Sequence, residues 1–386
     1  YKMALQVYVD ILKINPNDFN TFNNIGIIFE LIGENNKAIE AYKQAVRINP
    51  NHAKSINNIG VVLYKQKRYK ESAQIFEIAL QSDSDYNEVY SNKGAAYNKA
   101  KDYDKAIESL EMAILKMPNH GGAYTNLGNV YNKLHDYKMA AKMHEKSIEL
   151  EPNGSNAYSN VGTSYKYLGL SNKAISSYKK AIELDPNFVN AHFDLATMYL
   201  AMEDFENGWK EYEWRFKKEE MIPHIIKHKD IFSKPVFTGV EDIKGKTLLL
   251  HSEQGYGDSI QFIRFAPQIK EIFGCKIAVK CREGLKELFK TIDEIDVIVD
   301  RSEETPAFDY QLSIMSMPFI LDMKSTDELP KKMPYLKAIF DKDLEIKKEK
   351  DKINIGICWS ASLTGESYEG KVFDLKFFEL LMNNPK

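Results

Sequence analysis

The sequence predicts two architectures in one chain, an all-α helical solenoid over residues 1–222 followed by an α/β domain with a parallel sheet from residue 246 onward. Three observations carry this. Small residues recur at a fixed interval through the first half. The interval is lost near Phe216. Beyond it, short apolar runs alternate with stretches of helical spacing, the mark of strand–helix units.

Gly26, Gly60, Gly94, Gly128 and Gly162 stand 34 residues apart without a slip. Pro16, Pro50, Pro118, Pro152 and Pro186 keep the same period, with Ser84 in the vacant place. Phe29, Leu63, Tyr97, Tyr131, Tyr165 and Tyr199 follow each small residue by three. Ala38, Ser72, Ala106, Ala140 and Ala174 mark a second helix, and Tyr42, Phe76, Leu110, His144 and Tyr178 follow them by four. A 34-residue period is the helix–turn–helix signature of tetratricopeptide arrays. The small residue lets the second helix approach, and the aromatic one turn later fills the space between neighbours. The proline ends the second helix. One hairpin cannot bury its apolar faces alone, so stacking stabilises the array.

The array opens midway through a unit, with Ala4, Tyr8 and Pro16 in second-helix places. Five full repeats follow, then an irregular sixth from about Val189, with Ala196 in the glycine place and Gly208 in the alanine place. Asn24, Asn58, Asn92, Asn126 and Asn160 each precede the small residue by two, and Asp194 takes the sixth place. On the first helix this row is expected on the concave face. An amide carries donor and acceptor together, so the row could pair bidentately with an extended protein or peptide in the groove. Asparagine is also common at this place in such arrays, which leaves a structural role open.

Residues 223–245, with Pro223 and Pro235, read as a linker. Strands are expected at 246–251, 276–281, 296–300 and 310–314, with helices over 259–272, 284–292 and 318–321, a pattern of Rossmann type. Residues 322–352 are lysine-rich and broken by Pro330 and Pro334, a connector, and Ile353–Trp359 opens another strand–loop unit.

Gly208–Trp209, Tyr212–Arg215, Pro235–Gly239, Leu248–Phe262 with its Glu-Gln-Gly-Tyr-Gly-Asp loop, Phe308–Tyr310, Met317–Pro318, Pro334–Leu336 and Gly356–Trp359 together resemble bacterial tetratricopeptide-repeat glycosyltransferases. The segments occur in order along the chain. The resemblance implies a repeat array fused to a GT-B fold similar to heptosyltransferases and to protein O-GlcNAc transferase. On that plan 246–345 is the N-terminal, acceptor-side Rossmann-like domain, and 346–386 begins a nucleotide-sugar domain. It implies an inverting, metal-independent hexosyl- or heptosyltransferase using a UDP-, GDP- or ADP-sugar, with Trp359 and Ser360 on a second-domain loop. The sequence departs from the pattern at Lys371–Val372, where the family carries Arg-Ser. The start at Tyr1 and the stop at Lys386 read as a fragment, inactive by itself. The rival function is a repeat scaffold with a degenerate α/β half.

By the resemblance, Asp258 is the base that takes the acceptor hydroxyl's proton, and Glu253, Gln254, Gly255, Tyr256, Gly257 and Gln261 form the substrate loop around it. A carboxylate in hydrogen-bond reach of a hydroxyl can do this. The same residue reads as a helix cap, with Gln261 three residues on completing a capping box. Glu253 orients the loop or ends a strand as an ordinary carboxylate. His251 reads as a core histidine. His224 and His228 have ligand spacing but no evident third ligand, so no metal is expected. Trp209, Tyr212 and Trp214 are expected to pack between the last repeat and the α/β domain.

A net charge of -3 gives no excess of cations to neutralise phosphates, so nucleic acid is not an expected partner. The hydrophobic fraction of 44% supports real cores. Cys275, Cys281 and Cys358 are too few for a disulfide scaffold and fit a reducing compartment, the cytoplasm. No apolar run has the length of a membrane span and no signal peptide is visible. Asn153-Gly154-Ser155 has the form of a glycosylation sequon but reads as a turn.

Overall fold

The computed structural model of the 386-residue chain describes residues 1–253, 255–331 and 335–336. Gln254, Cys358, Trp359, Ser360, Lys371 and Val372 lie outside the described residues, as does the whole of 346–386. Tyr1–Leu336 form one compact unit.

Helix Lys2–Ile14 leads into five helix pairs: Phe19–Leu31 with Asn35–Ile48, Ala53–Lys65 with Tyr69–Ser82, Glu88–Lys99 with Tyr103–Lys116, Gly121–Lys133 with Tyr137–Leu150, and Ser155–Tyr167 with Ser171–Leu184. The sixth pair, Val189–Ala201 with Phe205–Tyr212, has a short second helix. Successive first helices touch one another, so they line the inner face of the solenoid.

The glycine series has a direct cause. A Cβ on Gly26 would lie 2.4 Å from the Tyr42 ring, on Gly60 2.6 Å from Phe76, on Gly94 2.4 Å from Leu110, on Gly128 2.5 Å from His144 and on Gly162 2.7 Å from Tyr178. No methyl group fits at those distances without displacing the side chain opposite. The group that needs the room is therefore the one sixteen residues on, in the second helix, rather than the aromatic one turn away. In the sixth repeat the same pair is Ala196 and Tyr212, both buried.

A second periodic position was not evident in the sequence. Gly33, Lys67, Lys101, His135, Gly169 and Glu203 sit at the same point of each turn, all with φ between 61° and 79°. Each ends a first helix in the left-handed conformation that reverses the chain. Only two of the six are glycine, so the other four carry backbone strain.

After the array come strands β1 (Thr247–His251), β2 (Lys276–Cys281), β3 (Val297–Asp300) and β4 (Tyr310–Ser313). They form one parallel sheet in the order β3-β2-β1-β4. The expected helix over 259–272 is broken by a 3₁₀ turn at Ile263–Phe265, because Pro267 must begin a new helix, Ala266–Phe273. The helix expected at 284–292 is reduced to Lys286–Phe289.

Both faces of β1 are covered, which explains its unbroken Leu248-Leu249-Leu250 run. Leu248 and Leu250 join a core with Phe262, Ile263 and Ile269, and with Trp209 and Tyr212 of the last repeat. Leu249 packs with Ala278 and Ile231 on the other side. The 223–245 stretch is thus no free linker. It folds as short helices Ile222–Lys227 and Lys229–Phe232, then runs beside β4, where the Phe237 amide donates to the Gln311 carbonyl at 2.9 Å and the Gln311 amide to that of Pro235 at 2.9 Å.

His144 gives a prediction. It is fully buried, its Nδ1 has no hydrogen-bond partner among the described residues, and burial lowers its pKa from 6.5 to about 4. With the folded value below the unfolded one, the unfolded chain takes the proton first. The ring's contribution is intact above about pH 6.5 and is lost as pH falls toward 4, a loss of about 3 kcal/mol when complete. His144→Phe, which introduces the ring that Phe76 supplies two repeats earlier, should unfold at higher urea than wild type at about pH 4.5, with the gap narrowing by about pH 8.

Candidate functional site

Two regions carry the expected site residues. The first is the inner face of the array. Asn24, Asn58, Asn92, Asn126, Asn160 and Asp194 are all half-buried on first helices. Three are tied to the preceding repeat: Asn58 Nδ2 donates to Asn23 Oδ1 at 3.1 Å, Asn92 Nδ2 to Asn57 Oδ1 at 3.2 Å, and Asn126 Nδ2 to Ser91 Oγ at 3.4 Å. Each bond uses one of the two amide hydrogens and fixes the rotamer. The carbonyl oxygen and the second N–H are not used by these bonds. At the end of the row, burial raises the Asp194 pKa, with Lys166 and Lys218 pulling the other way. Charged groups of both signs therefore replace the neutral amides where the array meets the sheet.

The second region is the C-terminal edge of β1. His251, Ser252 and Glu253 are buried there. The chain then turns into helix Tyr256–Phe262, whose N-cap is Gly255. Asp258 occupies the third helical position and its Oδ2 accepts from the Gly255 amide at 3.0 Å. The capping partner is thus Gly255, upstream, and not Gln261, which is exposed. Ser259 Oγ donates to the Gly255 carbonyl at 2.9 Å. Tyr256 is exposed, with the Arg282 guanidinium 5.4 Å from its ring, and the space beside Gly257 is open.

Glu253 is committed elsewhere. Its Oε1 accepts from Arg215 Nε at 2.5 Å, and both side chains are buried. Arg215 Nη1 donates to Glu213 Oε1 at 2.6 Å and to the Tyr212 carbonyl at 3.2 Å, and Nη2 donates to Ser316 Oγ at 2.7 Å. Ser316 Oγ donates in turn to Glu213. The guanidinium lies over Phe216 at 4.1 Å. Burial disfavours the charged form of this group, and Glu253 and Glu213 outweigh it, so its pKa lies above the usual value. Arg215 thus pins the last repeat to the end of β1 and to the turn after β4. In the sequence Arg215 stands only within the Tyr212–Arg215 motif, and nothing local announces partners 38 and 101 residues away.

The aromatic expectation divides. Trp209 meets Phe262 edge-on at 5.7 Å, at the junction with the sheet. Trp214 stacks on His192 at 3.7 Å, within the last repeat. His224 and His228 have ring centres 4.6 Å apart and share a pocket with His251. Among the described residues no group of three or more His, Cys, Asp or Glu is placed to hold a metal. Cys275 and Cys281 are buried free thiols. No described helix is long and apolar enough to cross a membrane.

A TPR repeat model matches residues 31–67, and tetratricopeptide repeat models match 85–153, 155–188 and 177–211. The array is a tetratricopeptide-repeat solenoid. Among solved structures, a chain of the APC/C hetero-tetramer Cut9–Hcn1 is similar at 15% identity and TM-score 0.52, over 59% of this chain and 45% of that one. PilF of Pseudomonas aeruginosa is similar at 19% identity and TM-score 0.47, over 56% and 96%. YrrB, described as a TPR protein with an unusual peptide-binding site, is similar at 22% identity and TM-score 0.39, over 48% and 95%. These are likenesses of fold in the TPR half. No curated protein matches the chain.

The TPR–sheet junction yields a prediction. Arg215→Met leaves Glu253 buried without its cation, and breaking such a pair costs about 3–5 kcal/mol. Thermal unfolding of the variant should lose its single transition, with the sheet melting before the TPR array. Arg215→Met combined with Glu253→Gln should recover part of the loss.

Proposed function

We propose that the TPR array binds an extended polypeptide along its inner face and holds it beside the C-terminal edge of the sheet. The observation that supports this most is the asparagine row, with Asn58, Asn92 and Asn126 locked in place by inter-repeat bonds before any ligand arrives. A row whose rotamers are already fixed loses little entropy on binding. Its spacing along the solenoid addresses backbone amides, which every polypeptide has, so recognition would be broad in sequence. Fluorescence anisotropy against a panel of labelled unstructured peptides tests it. Asn92→Ala with Asn126→Ala should weaken binding at least about tenfold for all peptides that bind, near 1.4 kcal/mol. Loss confined to one peptide, or no binding by the wild type, would contradict it.

A finer reading concerns the sheet. The order β3-β2-β1-β4, all parallel, is that of half a doubly wound domain, and such sheets bind ligands at the carboxyl ends of their strands. The Glu253–Asp258 loop leaves β1 at that edge. This supports the resemblance to sugar transferases, with 246–345 as the acceptor side, Asp258 as base, a UDP-, GDP- or ADP-sugar as donor and the cytoplasm as its compartment. Asp258 is half-buried, and among the described residues Gly255 takes its Oδ2. The other oxygen would receive the acceptor proton. The intact gene product, incubated with nucleotide-sugars, should release nucleoside diphosphate from one donor, and Asp258→Ala should lower the rate at least about a hundredfold. A folded protein that releases none is a TPR scaffold with a silent α/β domain.

A further inference from the structure

Between the short helices of 222–232 and the carboxyl ends of the first three strands lies a pocket that neither reading uses. His224, His228, Ile231, His251, Ser252, Lys280 and Arg301 line it. Its atom-free space is about 210 Å³ including the mouth, while its water-sized interior is only about 10 Å³. The enclosed part holds about one water and the rest opens to solvent, so a phosphoryl group would seat one oxygen inside and leave its remainder, and any nucleoside, at the mouth. We propose that this pocket is an anion site that takes a single phosphoryl group, held between Arg301 and Lys280 and capped by His224, His228, His251 and Ser252.

Charge decides the sign of the ligand. Lys280 is nearly buried, its side chain 8% exposed. Its ammonium donates to Thr305 Oγ1 at 2.5 Å and to the Glu303 carbonyl at 3.2 Å. Arg301 is half-buried and its Nη2 donates to the Ser252 carbonyl at 2.6 Å. Arg282 bears on Arg301 and His224, Lys227 on His228, and Arg215, itself paired with Glu213 and Glu253, on His251. The carboxylate facing this group is Asp230, 3.9 Å from Lys280 and half-exposed. Three imidazoles alone would suit a transition metal. With these cations around them they suit the opposite charge.

Two buried groups are built but unmet. His251, 2% exposed, and Ser252, 4% exposed, line the pocket, and neither His251 Nδ1 nor Ser252 Oγ has a hydrogen-bond partner among the described residues. Unpaired polar atoms this deep cost free energy unless a ligand or water meets them. His251 Nε2 lies 2.8 Å from Gln311 Oε1, so as assigned Nε2 carries the proton and Nδ1 is bare. A protonated oxygen of a phosphate can donate to Nδ1, or Nδ1 can take up a proton and donate to the anion. Ser252 Oγ donates in either case.

The imidazoles make the site sensitive to pH. Burial lowers His224 and His251 to about 4 and His228 in the same direction; neighbouring cations add to this, while the Gln311 bond on His251 and Asp230 beside His228 oppose it. An anion among them opposes that shift, so the complex holds more protons than the free protein. Affinity must then rise as pH falls. Sulfate separates this from titration of the ligand, because it stays a dianion throughout.

The experiment follows the histidine ring resonances of the full chain by NMR as inorganic phosphate, sulfate or UDP is added. Saturable shifts confined to His224, His228 and His251, with His144 unmoved, are expected. Sulfate should bind severalfold tighter at about pH 6 than at about pH 8. Arg301→Met should weaken phosphate at least about tenfold, and His224→Gln less, with unchanged circular dichroism. UDP binding more tightly than phosphate assigns the phosphoryl group to a nucleotide whose base stays outside; weaker UDP binding assigns it to a monoester. No saturable shift, an Arg301→Met affinity equal to wild type, or Zn²⁺ moving the three rings where phosphate does not would each overturn the proposal.

Discussion

The close approach of two helices at a glycine is the contact on which the array depends. At five positions a missing Cβ admits a large side chain from the second helix. The requirement is steric, so the period cannot drift without costing packing. The side chain opposite varies from Tyr to Phe, Leu and His, because the constraint is on the backbone that receives it. His144 is the polar exception, and burial lowers its pKa.

The sixth repeat turns this contact into a joint. Tyr212 takes the ring position opposite Ala196, and the chain then tightens into a 3₁₀ turn that delivers Arg215 to Glu253 and Ser316. Trp209 carries the apolar core across to Phe262. One helical turn thus ends the TPR stack and begins the sheet's own core. A terminal repeat needs its outer face covered, and here the α/β domain covers it. The asparagine row and the edge of β1 are consequently held on one body.

Much of this was legible because it is local or periodic. The 34-residue series marks every repeat, and apolar runs mark the four strands among the described residues to within a residue. After β1, apolar spacing persists through the 3₁₀ turn at Ile263–Phe265 and masks the break that Pro267 imposes. The left-handed turn position escaped because Lys67, Lys101, His135 and Glu203 occupy it as readily as Gly33 and Gly169. What depends on distant pairs was not legible. Glu253 reads equally as a loop-orienting group or a strand-end carboxylate, because its partner Arg215 lies 38 residues away. His224 and His228 had a visible spacing, but Lys280 and Arg301, which set the character of their pocket, come from the ends of other strands. Prolines at 223 and 235 suggested a linker, although Phe237 and Ile243 are buried against the sheet.

That the TPR array and the sheet form one cooperative body is tested most directly by native-state hydrogen exchange under increasing urea. Amides of β1, Leu248 to Leu250, should be exposed with the same free energy and the same urea dependence as those of Val189–Ala201 in the last repeat. If the β1 amides exchange through a separate, lower-energy opening while the last repeat stays protected, the two are independent domains, and the joint at Arg215 is a contact rather than a constraint.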